Sequence, residues 1–174
     1  MVRGDGGAKG VQTSTVLISD AGQMTNPSQP LFLAYLNTTV ANVSGDGTVY
    51  PIIFDVEVTD VGGNFNLATS TYTAPVTANY HFDLGVLLGG GTSITAASLR
   101  IIIAGTSAAT YDRGIGVSSG TTSVSGMHSI TLPMTAGDTA TFNVQSTDSG
   151  GKVDDVNGVT GSLRRTWVSG YLVA

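Results

Sequence analysis

The chain has 174 residues, no Cys, and a formal net charge of −5 with a pI near 4.6. That length fits one domain able to bury a core without staples, and the missing Cys excludes disulfides and thiolate chemistry and argues against a disulfide-stabilised secreted domain. An acidic chain whose only basic pair is Arg164-Arg165 lacks the basic stripe of a nucleic-acid binder, and no apolar run approaches the ~20 residues that span a membrane.

Residues 1–30 read as an arm, separate from a head over 31–174. Met1–Gly10 is rich in Gly, and its charges are not followed by the apolar stretch of a signal peptide. Val11 to Ser19 predicts one extended strand, followed by turns at Asp20-Ala21-Gly22 and Asn26-Pro27. Such an arm frays alone, so we expect it to pack on a neighbouring chain, with Val11, Val16, Leu17 and Ile18 as its attachment residues. Arg3-Gly4-Asp5 is an integrin-type tripeptide that so much Gly and Asp produces by chance.

Beyond the arm, strands are expected near 31–37, 48–54, 55–60, 68–73, 78–88, 97–104, 109–117, 126–134, 139–146, 152–158 and 163–173. The clearest has Tyr80, Phe82, Leu84, Val86 and Leu88 alternating with Asn79, His81, Asp83 and Gly85. Period two of that length marks a strand with one buried face. Glycine turns such as Gly45-Asp46-Gly47, Gly62-Gly63-Asn64 and Gly89-Gly90-Gly91 separate the segments, and no helical pattern of useful length occurs. Short strands at this interval predict an all-β sandwich.

Chemistry-bearing residues are few. His81 is expected on the outward face of its strand and His128 at a surface or interface; neither has a zinc-site neighbourhood. A Ser-His-Asp arrangement is too easily met in a Ser-rich chain to carry weight. No cofactor is implied, with calcium the one ion that turn carboxylates could take: Asp46, Asp154 and Asp155 are the candidates, with Asp55 and Asp60 beside a strand. Loops 89–95, 105–108, 118–123 and 147–151 could hydrogen-bond a sugar or a protein. Asn37-Thr38-Thr39 and Asn42-Val43-Ser44 are glycosylation sequons.

The aromatic spacing resembles the globular head domain of the complement 1q family, relatives of tumour necrosis factor. Phe54, Asp60, Phe65, Tyr72, Ala78, Tyr80, Phe82 and Leu84 keep the family register, with Tyr72, Ala78 and Leu84 standing where the family has Phe, Gly and an aromatic. Phe32 to Leu36, Leu132 with Gly137-Asp138, and Trp167 to Val173 resemble its opening strand, late turn and closing strand. The resemblance implies a jelly roll of about ten antiparallel strands. Strands apolar on both faces need a cover, which in this family two further copies supply around a threefold axis. Strands 31–37, 78–88 and 163–173 are then expected near the axis, with Phe32, Tyr35, Tyr80, Phe82, Trp167 and Tyr171 in the trimer interface or core.

The run from Asn42 to Thr48, Phe54-Asp55 and Asn64-Phe65 look like bacterial and phage members. That implies a non-enzymatic structural protein at a bacteriophage virion surface, made in the host bacterial cytoplasm. It would be a homotrimeric capsid decoration (cement) protein or a tail-fibre head, with capsid or tail proteins as partners. The alternative is a host-receptor or carbohydrate-binding module acting through the outer loops.

Overall fold

The computed structural model describes residues 2–4 and 11–13 by their backbone, and residues 16–118, 120–159 and 163–173 in full. The described residues form strands and no helix. In the arm, β1 (Val2–Gly4) pairs with β2 (Val11–Thr13), and β3 (Leu17–Ile18) pairs with β4 (Met24–Thr25). The single strand expected over Val11 to Ser19 therefore divides between two hairpins, with Ser14 and Thr15 outside the described residues, as is Asp5 of the tripeptide. The second hairpin closes on Gly22, whose φ of +77° suits a residue without Cβ.

The head follows with β5 (Leu31–Tyr35), β6 (Val40–Ser44), β7 (Asp46–Pro51), β8 (Val56–Val61), β9 (Phe65–Asn66), β10 (Thr71–Thr73), β11 (Ala78–Gly89) and β12 (Ile94–Ala104). Then come β13 (Ala109–Ile115), β14 (Val124–Met134), β15 (Thr139–Asp148), β16 (Asp154–Val156) and β17 (Trp167–Leu172). One sheet has the order β13-β12-β15-β10-β9. The other runs β6-β16-β11-β17-β5-β8, with β14 on the far edge of β11. All named pairings are antiparallel, as expected of a sandwich built by long-range hairpins and crossovers. The short β6 and β9 lack a clean alternation and were not legible from the sequence.

The spaced aromatics make the core between the sheets. Phe32 stacks on Phe65 at 4.5 Å and on Tyr72 at 5.1 Å, and Tyr72 meets Tyr80 and Phe82 edge-on at 5.7 and 5.6 Å. Phe82 in turn meets Phe142 of the opposite sheet at 5.6 Å. Burying each ring contributes on the order of 2–3 kcal/mol, and offset or edge-on pairing adds a smaller amount. Gly170 lets these rings approach β17: a Cβ there would lie 2.5 Å from both Phe32 and Phe82. Asp60 sets the turn before Phe65, accepting from the amides of Asn64 (3.1 Å) and Phe65 (2.9 Å). The family-like spacing is thus a core recipe: six side chains facing inward and one carboxylate fixing a loop.

Phe32, Tyr80 and Phe82 are almost wholly enclosed within the chain, at 0–1% exposure, which places them in the core, one of the two positions expected. One expectation is corrected here. His128, expected at a surface or interface, faces inward opposite Leu84, because it shares the parity of Ile130 and Leu132 on β14. Its Nε2 lies 3.2 Å from the carbonyl of Tyr111, and burial holds its pKa below the usual histidine value.

Candidate functional site

With the even-numbered residues of β11, β14 and β17 turned inward, their odd-numbered neighbours form the sheet's outer face. Strand register aligns them with β5 in three rows. These are Tyr35–Trp167–Gly85–Met127, Leu33–Ser169–Asp83–Ser129 and Leu31–Tyr171–His81–Thr131. The three segments expected near an axis are therefore consecutive in one sheet, β11-β17-β5. Within one protomer this face leaves apolar surface open: Met127 is 56% exposed, Tyr171 44% and Leu31 37%. Val58 on the neighbouring edge strand is 55% exposed.

Two devices shape that face. The Trp167 indole lies across Gly85: a Cβ there would sit 2.6 Å from Nε1 and 2.7 Å from Cε2. The ring is half-buried over this glycine. Beside it the Arg164 guanidinium stands 3.7 Å from the centre of the Tyr35 ring, a cation–π contact. The result is a pair of half-buried aromatic rings, Tyr35 and Trp167, beside the Arg164 guanidinium.

His81 occupies the polar part of the same face. Its Nδ1 is 2.8 Å from Thr131 Oγ1, and its Nε2 is 3.2 Å from Ser129 Oγ and 3.3 Å from Asp83 Oδ2. The Tyr171 ring packs beside it at 5.1 Å. The Ser129 hydroxyl and the Asp83 carboxylate both approach Nε2, and the Thr131 hydroxyl takes Nδ1. The cluster is a polar hydrogen-bond patch set in an apolar surface.

The calcium candidates separate. Asp46 is exposed and caps its own turn, accepting from the Thr48 amide at 3.0 Å; hydrogen bonds from Thr48 hold its pKa below the usual carboxylate value. Asp155 accepts from the Asn42 amide at 2.8 Å. Asp154 is fully buried. Asp55 caps the amides of Asn37 and Thr38 at 2.6 and 2.9 Å. Among the described residues, no three His, Asp or Glu side chains gather in a metal-holding group.

The loops differ from free hydrogen-bonding surfaces. Loop 105–108 is tied to Asp138, which accepts from the amides of Thr106 (2.6 Å), Ser107 (3.0 Å) and Thr135 (2.8 Å). The Ser107 hydroxyl chiefly, and these amides to a lesser degree, lower its pKa. Loop 147–151 is folded onto Asp148. Segments 89–95 and 118–123 do converge: the Ile94 amide donates to the Thr121 carbonyl at 2.7 Å, beside an open hollow of about 220 Å³ lined by Ser93, Ile94, Thr95, Val117 and Ser118. Ser119 lies outside the described residues. Sequence reasoning missed Met127, Gly85, Ser129 and Leu31. The alternation of β14 carried the signal for Met127 and Ser129, but only the pairing with β11 aligns it.

This sheet order, with its aromatic inter-sheet core, is the jelly roll of the complement 1q and tumour necrosis factor-like proteins. The globular domain of zebrafish complement 1qA protein has TM-score 0.56 and 18% identity, over 84% of this chain and 98% of that one. Murine APRIL at pH 5.0 has TM-score 0.53 and 12% identity, over 83% and 99%; the pH 8.5 structure gives 0.52 at 12%, over 83% and 99%. At such identities these likenesses show the fold. No protein-family model and no curated protein matches the sequence.

Proposed function

We propose that the chain is a homotrimeric, non-enzymatic building block of a bacteriophage virion surface, either a capsid decoration (cement) protein or a tail-fibre head, attached through its N-terminal arm. The observation that carries self-association is the outer face of β5, β17 and β11. Half-buried Tyr35 and Trp167 and exposed Tyr171 and Leu31 lie on the outer side of these strands, with exposed Met127 on the adjoining β14, while the other side of the sheet already fills the core. Covering roughly 25 cal/mol per Å² of apolar surface favours association before its entropic cost, and threefold closure buries equal patches on all copies. The arm supports attachment. Its second hairpin presents Leu17, Ile18 and Met24 at 58, 52 and 67% exposure, and the chain joins the sheet through Gln29 Nε2 and the Pro30 carbonyl, which bond Leu172.

Two measurements test the reading. Sedimentation equilibrium of the full chain is expected to give a trimer; a stable monomer at micromolar concentration overturns it. A variant lacking residues 1–25 is expected to remain a folded trimer and to stop co-sedimenting with its particle. Retained attachment refutes the role of the arm. The hollow between Ser93 and Ser118 favours a second reading, a host-receptor or carbohydrate-binding module. Glycan-array binding abolished by Thr95→Trp would select that reading.

A further inference from the structure

At the end of the sandwich beyond Ile94, the core turns from apolar to polar. Ser146 and Asp148 project inward from β15, and Asp154 projects inward from β16 in the facing sheet, paired in register with Ser44. Ser44, Ser146, Asp148 and Asp154 are all buried, at 0, 1, 6 and 0% exposure. Ser44 is satisfied, donating to the Thr48 carbonyl at 2.8 Å and accepting from the Ser146 amide at 2.9 Å. Asp148 accepts from the amides of Ser93 (2.8 Å) and Gly150 (2.6 Å). Three oxygens of the cluster have no hydrogen-bond partner: both of Asp154 and the hydroxyl of Ser146.

One of them, Asp154 Oδ1, converges with Asp148 Oδ2. A Cβ built on Gly91 would lie 2.6 Å from Asp154 Oδ1 and 2.7 Å from Asp148 Oδ2, so the two carboxylates close on one spot against the glycine backbone. A side chain at Gly91 would fill it. An enclosed carboxylate without donors is costly as an anion, and two of them facing each other repel. A cation removes both penalties at once. Hard oxygens from carboxylates and a hydroxyl are the donors calcium takes, and its flexible coordination accepts ligands from two sheets.

We propose that Asp154, Asp148 and Ser146 form a buried binding site for a divalent cation of the calcium type, clamping the two sheets together at this end of each protomer. The site lies inside one chain and does not depend on the trimer reading.

The test uses chelator-treated full-length protein and calcium chloride, with binding read by isothermal titration and stability by thermal melting. The expected result is one calcium per chain and a melting temperature raised by at least about 5 °C at saturating calcium. Asp154→Asn, which keeps shape and removes charge, is expected to weaken binding at least tenfold, whereas exposed Asp46→Asn leaves it unchanged. Should Asp154→Asn fail to fold, Ser146→Ala and Asp148→Asn give the same readout. The proposal is overturned by wild-type protein that shows no calcium heat and identical melts at 10 mM calcium. It is equally overturned if binding is lost in Asp46→Asn, or is undiminished in the folded variants at 148, 154 and 146.

Discussion

Replacing Tyr72 by Phe deletes one oxygen from the centre of the sandwich. The ring is fully enclosed between Phe32, Tyr80 and Phe82, and its hydroxyl is buried with no hydrogen-bond partner. A buried, unpaired hydroxyl costs about 1–3 kcal/mol, and the small void left by its removal returns a fraction of that. Tyr72→Phe is therefore expected to stabilise the protein by about 0.5–2 kcal/mol, an increase of roughly 2–6 °C in Tm for a domain of this size. Calorimetry at matched protein concentration reads this directly, since the proposed self-association would make Tm depend on concentration. A pH series supplies an independent check. Burial, with lesser help from Tyr80 and Asp60, pushes the Tyr72 pKa well above 10. The unfolded chain then loses this proton near pH 10 while the folded one keeps it. The stability involved is complete below pH 10 and drains away as pH rises above it. Tyr72→Phe is expected to flatten that decline without abolishing it, because burial also raises Tyr50 and Tyr80. A variant that melts lower than wild type, with an unchanged alkaline slope, would mean the hydroxyl is bonded in solution and the reasoning is wrong.

On the proposed trimer reading, Gly85→Val pushes Trp167 off the sheet and weakens self-association at least tenfold while leaving far-ultraviolet dichroism intact; sedimentation velocity reads the change, and undiminished self-association refutes the role given to this face. His128 contributes stability above about pH 6.5 that is lost as pH falls below it, since its folded pKa lies under the unfolded value; in His128→Gln, denaturant midpoints between pH 7 and 5 should fall less steeply. Asp138→Ala leaves the amides of Thr106, Ser107 and Thr135 without their acceptor, so the melting temperature should drop by several degrees and hydrogen exchange should quicken in that loop first. The intact Asp138, with its lowered pKa, contributes stability that disappears only in strong acid, as pH falls through its folded value.

Much of the head was legible because its strands advertise parity. The alternation from Tyr80 to Leu88 sorted inward from outward residues correctly, and the expected segments from 31 to 173 coincide with β5, β7, β8 and β10–β17 to within a few residues. Asp60 and the aromatics at 54, 65 and 72 were readable as a set because their spacing serves one turn and one core. His128 was misjudged for a definite reason. On β14 the apolar residues Ile130, Leu132 and Met134 share its parity, but a histidine among them carries no sign of whether its nitrogen will find a carbonyl. The Gly89-Gly90-Gly91 run was read as a turn, yet Gly90 and Gly91 also make room for Asp155, Asp148 and Asp154, a reason that lies far downstream in the sequence.

Local pattern, then, determined which side chains each strand buries and where the chain turns, since period-two alternation and glycine act over a few neighbouring residues. Tertiary structure decided which strands lie side by side. Only hydrogen-bonded register between segments far apart in the chain could set Trp167 over Gly85, line His81 up with Ser129 and Thr131, and bring Asp154 from one sheet against Asp148 of the other.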